Sequence, residues 1–146
     1  MPSGARLQAL ARKLLESEGY RVHSSVRSAA RRGARWVSLQ TDIFGAFDLV
    51  ATRLTGPRPL RFIQITTATN VSGHIEKVDS VPLKSGVASA EIWAWHGGQR
   101  RLDRRYRREK VWLPRNYFQV YFKERAWKPH PKDRVFAKGE TRTKAE

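Results

Sequence analysis

The sequence has no cysteine, which excludes disulfides, thiolate metal sites and a cysteine nucleophile. Acidic residues are scarce, 13 Asp+Glu against 29 Lys+Arg, for a formal net charge of +16. No apolar run is long enough for a transmembrane helix, and no signal peptide precedes the first predicted helix. These absences predict an intracellular protein, cytoplasmic or nucleoid-associated, with no membrane partner. The histidines at 23, 74, 96 and 130 show no metal-ligand pairing, which argues against zinc. A Gly-x-x-x-x-Gly-Lys-Ser/Thr loop is missing, so an NTPase is not indicated. Helix-turn-helix and finger signatures are missing too, so base-specific readout is not indicated.

What is present is a chain of 146 residues, 40% hydrophobic, with 5 Trp, 6 Phe and 4 Tyr. That is enough for one globular domain with a real core. Self-repulsion at +16 opposes compaction, so a polyanionic partner is implied, held by phosphate contacts whose affinity falls steeply with salt.

Ser3 as N-cap, with Leu7, Leu10, Ala11, Leu14 and Leu15 at helical spacing and Gly19 beyond the end, predicts a helix over 3–18. A short strand follows at 20–23. Residues 24–35 are rich in Ser, Ala, Arg and Gly and read as a mobile cationic loop carrying Arg27, Arg31, Arg32 and Arg35. Two runs of strand character, 42–52 and 60–68, flank Thr55-Gly-Pro-Arg-Pro59 and predict an antiparallel hairpin. On its second strand Gln64 and Thr66 share a face. Residues 72–80 read as a helix stopped near Pro82, and 90–95 as a mostly apolar central strand. Strand, helix and strand in that order predict a parallel pair. A final strand is expected at 117–122. Trp93 and Trp95, on one strand face, read as core side chains rather than base-stacking platforms. Arg100, Arg101, Arg104, Arg105, Arg107 and Arg108 form a second cationic segment. From about Lys128 the apolar pattern stops, so a domain over 1–127 and a basic, flexible tail over 128–146 are expected.

The residue that invites chemistry is Asp48, an acid within Phe44-Gly-Ala-Phe-Asp-Leu-Val. Burying a carboxylate alone costs several kcal/mol, roughly, so it needs a cation, hydrogen-bond donors or a metal. A nearby arginine would suffice structurally. Asp42 and the Gln64 amide are further oxygen donors, and two or three such ligands suit Mg²⁺ or Mn²⁺, which can polarise a phosphodiester and activate water. Along a straight strand Asp42 and Asp48 would lie ~20 Å apart, so a shared ion requires a bend at Gly45.

Gly19-Tyr-Arg-Val22 after the first helix, the basic Ser-containing segment, Phe47-Asp-Leu-Val-Ala51 and the returning strand Phe62-Ile-Gln-Ile-Thr-Thr67 together resemble the PD-(D/E)XK nuclease superfamily, nearest to archaeal Holliday-junction resolvases. The resemblance covers about the first 80 residues. It implies an α/β, restriction-endonuclease-like mixed β-sheet flanked by helices, a Mg²⁺-dependent endonuclease acting on branched or duplex DNA, and a homodimer. It places the metal-binding Asp at Asp48. The Glu-x-Lys positions fall on Gln64 and Thr66, and the acidic residue of the first helix falls on Gln8. Three of these four positions have lost charge. Two outcomes follow. In one, Asp42 restores a carboxylate and Lys77 or His74 enters from the next helix. In the other, the chain is a catalytically inactive nucleic-acid-binding module on the same fold. A basic scaffold protein of an RNA-containing assembly is a third reading from charge alone.

Overall fold

The computed structural model describes residues 2–84, 86–97, 101–102, 112–113, 116–123, 127 and 133–137, with backbone alone over 26–32, 36–41, 101–102 and 112–113. Helix α1 (Gly4–Ser17) starts at Ser3, whose Oγ accepts the Arg6 N–H at 3.3 Å. It buries Leu7, Ala11 and Leu15. It stops where Gly19 takes φ +89°, a left-handed conformation that suits glycine best.

The strands are β1 (Arg21–Ser24), β2 (Val26–Arg32), β3 (Arg35–Thr41), β4 (Leu49–Thr52), β5 (Leu60–Thr67), β6 (Ser89–His96), β7 (Arg101–Leu102), β8 (Trp112–Leu113), β9 (Tyr117–Phe122) and β10 (Arg134–Phe136), with helix α2 (Val71–Asp79) between β5 and β6. Among the described residues the main sheet runs β1-β4-β5-β6-β9-β10. All its neighbours are antiparallel except β5 and β6, the parallel pair that α2 connects.

Alternation along the strands divides the core. Ile63, Ile65, Trp93, Trp95, Phe118 and Val120 pack with the buried stripe of α1. Phe62, Ala90, Ile92 and Ala94 pack with Val71 and Val78 of α2. The helices therefore cover opposite faces of a mixed sheet, as period-two alternation requires of a sheet buried on both sides. Trp93 and Trp95 are core residues, as their area leads one to expect.

Three expectations need correction. The segment read as a mobile loop over 24–35 is instead most of a hairpin, with β2 and β3 paired from Val26↔Thr41 to Arg32↔Arg35. Gly33, at φ +61°, leads its two-residue turn, where hairpin geometry favours glycine. The Ser, Ala and Arg content hid a ribbon whose partner strand carries the β-formers Trp36, Val37 and Leu39. The strand read over 42–52 is only Leu49–Thr52; residues 42–47 form a turn. The strand at 117–122 is not the last one: Arg134–Phe136 pairs with β9 inside the stretch read as a tail.

One charged pair is built into the core. Arg61 on β5 and Glu91 on β6 are 5% and 0% exposed, and the guanidinium grips the carboxylate with Nε at 2.8 Å from Oε2 and 3.1 Å from Oε1, plus Nη2 on Oε1. Ser89 Oγ and Trp93 Nε1 also donate to the carboxylate. Burial penalises the charged guanidinium, but the paired carboxylate outweighs that and pushes its pKa up. Among the described residues no helix is long and apolar enough to cross a membrane.

Candidate functional site

The centre of the site is the turn that breaks the expected long strand. The Ile43 N–H donates to Phe47 O and the Phe47 N–H to Ile43 O, while the Gly45 N–H donates to Asp42 O at 3.0 Å. Phe44 (φ +53°) and Gly45 (φ +69°) both take left-handed backbone. The chain therefore reverses at the place where a bend was needed for Asp42 and Asp48 to approach one another.

Asp48 follows the turn and is 4% exposed. Its Oδ2 accepts the Ile65 N–H at 2.9 Å, and its own N–H donates to Ile63 O, so β5 holds it from both sides. Burial raises its pKa from 3.8 to about 6; the Ile65 N–H and Lys77 pull it down, and the neighbouring Asp42 charge pushes it up. A carboxylate with these neighbours gains from a cation, which would cancel the desolvation cost and the Asp42 repulsion together.

Gln64, 5% exposed, uses Nε2 to donate to Ile65 O at 3.2 Å, while its Oε1 is buried with no hydrogen-bond partner among the described residues. A buried acceptor left this way costs ~1–3 kcal/mol. In native proteins such a group is completed by an ordered water or an ion, or stores strain. Gln64 and Asp48 line one open cleft of about 380 Å³ together with Asp42, Thr66, Gln8 and Pro2. The four positions singled out by resemblance, Gln8, Asp48, Gln64 and Thr66, thus meet in one place, although α1, the Asp48 turn and β5 are far apart in sequence. Asp42 joins them.

From α2, Lys77 Nζ lies 3.5 Å from Asp42 Oδ2, an ion pair half open to solvent. His74, one turn earlier, is partly buried, and its Nδ1 has no partner among the described residues. Burial and the Lys77 charge hold its pKa below the ordinary value against the opposing pull of Asp42.

Tested against these residues, a hard divalent cation fits. Two carboxylates and an orphaned amide oxygen are its preferred donors, with room for water. No group of three or more His, Cys, Asp or Glu comes together among the described residues, so the donor set depends on the amide of Gln64.

The cationic segments are placed unequally. Thr41 ends β3 and Asp42 begins the acidic turn, so the β2–β3 ribbon starts at the rim of the cleft. By register, Arg27 (opposite Gln40) and Arg31 (opposite Trp36) share one face of it; Arg32 and Arg35 pair with each other beside the turn on the other. Arg35 is exposed. Arg101 lies in β7, whose backbone alone is described, and Arg100, Arg104, Arg105, Arg107 and Arg108 lie outside the described residues.

Sequence reasoning passed over Arg61, Glu91 and Phe44. The first two carried a readable signal, each being a charge inside an otherwise apolar run, as Asp48 is in the sequence. Comparisons with family models, with curated proteins and with solved structures find no match to this chain.

Proposed function

We propose that the chain is a DNA-binding protein with a restriction-endonuclease-like fold that hydrolyses phosphodiesters of branched or duplex DNA at this cleft, with Mg²⁺ or Mn²⁺ as cofactor. The observation that carries the reading is Gln64 Oε1, buried without a partner among the described residues on the wall that holds Asp48. Within the main sheet the order of helix, three antiparallel strands (β1, β4, β5, with the β2–β3 hairpin inserted between the first two), helix and parallel strand supports it, since it agrees with the arrangement the sequence resemblance implies.

Asp48, Asp42 and Gln64 would hold the cation, which when bound polarises the scissile phosphate and lowers the pKa of a bound water. With a pKa of about 6, Asp48 is half ionised near pH 6 and mostly ionised at neutral pH, so the site is armed there and disarmed in acid. Thr66 supplies a hydroxyl that can orient a water but no charge. Lys77 brings the positive charge that position lacks, shared with Asp42 across 3.5 Å. The arginine ribbon beside the cleft holds the backbone of the DNA, a contact that sets position rather than sequence. A homodimer with two-fold symmetry would present two clefts to the two strands of a junction.

Thr66 in place of a lysine favours a second reading, a non-cutting nucleic-acid-binding module. A nicking assay on plasmid and four-way-junction DNA with Mg²⁺ or Mn²⁺ separates them. Cleavage by the wild type that Asp48→Ala abolishes supports the nuclease. Binding without cleavage under either metal selects the second reading. Preference for RNA over junction DNA points to a scaffold role.

The ribbon makes its own prediction. Replacing Arg31, Arg32 and Arg35 together with Ala weakens binding to all DNA sequences alike, and it flattens the slope of log affinity against log salt by about 2 to 3. Loss on one sequence only would contradict a phosphate-contact role.

A further inference from the structure

Phe44 stands apart among the described aromatic side chains. Phe47 and Phe118 are fully buried, whereas Phe44 is 67% exposed at the tip of the acidic turn. The Gly45-to-Asp42 hydrogen bond makes Phe44 the third residue of a four-residue turn, and its φ of +53° is what such turns normally assign to glycine or asparagine. For a bulky side chain that conformation is an outlier and costs free energy. The exposed position is therefore unfavourable twice, in backbone strain and in hydration of a ring. Either a glycine or a polar residue here would relieve it. The ring is not loose, for it leans on Phe62 with centroids 5.8 Å apart and planes at 42°. The turn that carries it has Asp42, which lines the cleft, at its start and Asp48 just beyond its end, so Phe44 lies two residues along the chain from the lining of the cleft.

We propose that Phe44 is a base-contacting wedge: its ring stacks on an unpaired or unstacked base next to the phosphate held at Asp48. This inference rests on the DNA-binding reading above and sharpens its substrate class. Every base has a π-face, so an aromatic side chain contributes stacking without asking for a sequence. Apolar wedges between base steps kink a duplex but must first unstack it, a cost that is least where bases are already free. The cleft therefore selects DNA whose stacking is interrupted, at a junction, gap or flap, over uniform duplex. The arginines of the adjoining ribbon hold the flanking backbone in either case.

The test uses fluorescence anisotropy without divalent cation, on a labelled, fully paired duplex and on the same sequence with a short single-stranded gap. Wild type is expected to bind the gapped DNA more tightly. Phe44→Ala and Phe44→Gly lose about tenfold on the gapped DNA and much less on the duplex. Phe44→Trp keeps the preference. Phe44→Gly also melts no lower than wild type, because glycine accepts the positive φ, which separates lost stacking from lost folding. Leu54→Ala, a fully exposed apolar residue in the turn between β4 and β5, changes neither affinity. Equal loss on both DNAs, or none, overturns the wedge and leaves DNA binding standing. A wild type that binds both equally overturns it too, and one that binds neither overturns the DNA-binding reading along with it.

Discussion

Asp48→Asn is expected to lower metal-dependent nicking at least a hundredfold while DNA is still bound. The substitution keeps the shape and an oxygen that can accept the Ile65 N–H, now at 2.9 Å from the carboxylate. It removes the charge around which a cation would assemble, and each ~1.4 kcal/mol lost from transition-state stabilisation is tenfold in rate. Without metal the variant should bind DNA slightly more tightly, since a buried negative charge no longer faces phosphate. Stability should move the opposite way from activity. The folded-state pKa of Asp48, about 6, lies above its ordinary value of 3.8, so the folded protein holds this proton more tightly than the unfolded chain. The contribution of Asp48 is therefore most favourable below pH 4, declines as pH rises through 4 to 6, and is flat above. The full decline is ~3 kcal/mol, at 1.36 kcal/mol per pH unit. Thermal melts of Asp48→Asn should lack this decline and lie above wild type at pH 8. Added Mg²⁺ should close the gap by raising the wild-type midpoint at pH 8, through binding to the folded state alone, and leave Asp48→Asn unmoved. Wild-type melts indifferent to both Mg²⁺ and Mn²⁺, together with undiminished nicking by the variant, would falsify the site.

Glu91→Gln should be the most damaging single substitution to folding. The Glu91 carboxylate is fully buried and accepts from Arg61, Ser89 and Trp93 at once. Glutamine leaves the Arg61 guanidinium, itself only 5% exposed, without its counter-charge. Removing one partner of a buried pair costs ~3–5 kcal/mol, a large share of the ~5–15 kcal/mol that holds a domain of this kind. A urea titration should show that loss as a fall in midpoint at unchanged slope, and a thermal melt as a drop of ~10 °C. Replacing both partners with apolar residues, Arg61→Met with Glu91→Leu, should recover part of it, because no uncompensated charge remains although the buried Trp93 N–H loses its acceptor. If the double variant is no better than Glu91→Gln, the damage comes from lost packing and the orphaned Trp93 and Ser89 donors rather than from the stranded charge. DNA cleavage by the double variant should match wild type, since neither residue lines the cleft.

Much of the fold was legible because its signals are local. Helix α1 announced itself by the Ser3 cap, the leucine spacing and Gly19. Strands β5 and β6 showed as apolar runs, and α2 as the helical link between them. The ribbon was misread because β2 is written in Ser, Ala and Arg, and its strand state comes from pairing with β3 rather than from its own propensity. The reverse error at 42–47 has the same source. Phe44, Ala46 and Phe47 look like strand, yet hydrogen bonds between Ile43 and Phe47 close a turn on themselves.

What the sequence alone determined is the balance of charge, the helical and strand periods, and the presence of one acid, Asp48, where a carboxylate is costly. These are properties of neighbours along the chain. The tertiary structure decided which distant groups became neighbours in space. It folded Asp42 back toward Asp48 and brought Gln8, Gln64 and Thr66 to the same cleft. It left the Gln64 oxygen without a partner among the described residues and sealed Arg61 against Glu91. The physical reason is that desolvation and hydrogen-bond satisfaction depend on what surrounds a group in three dimensions, and no pattern along the chain reports that.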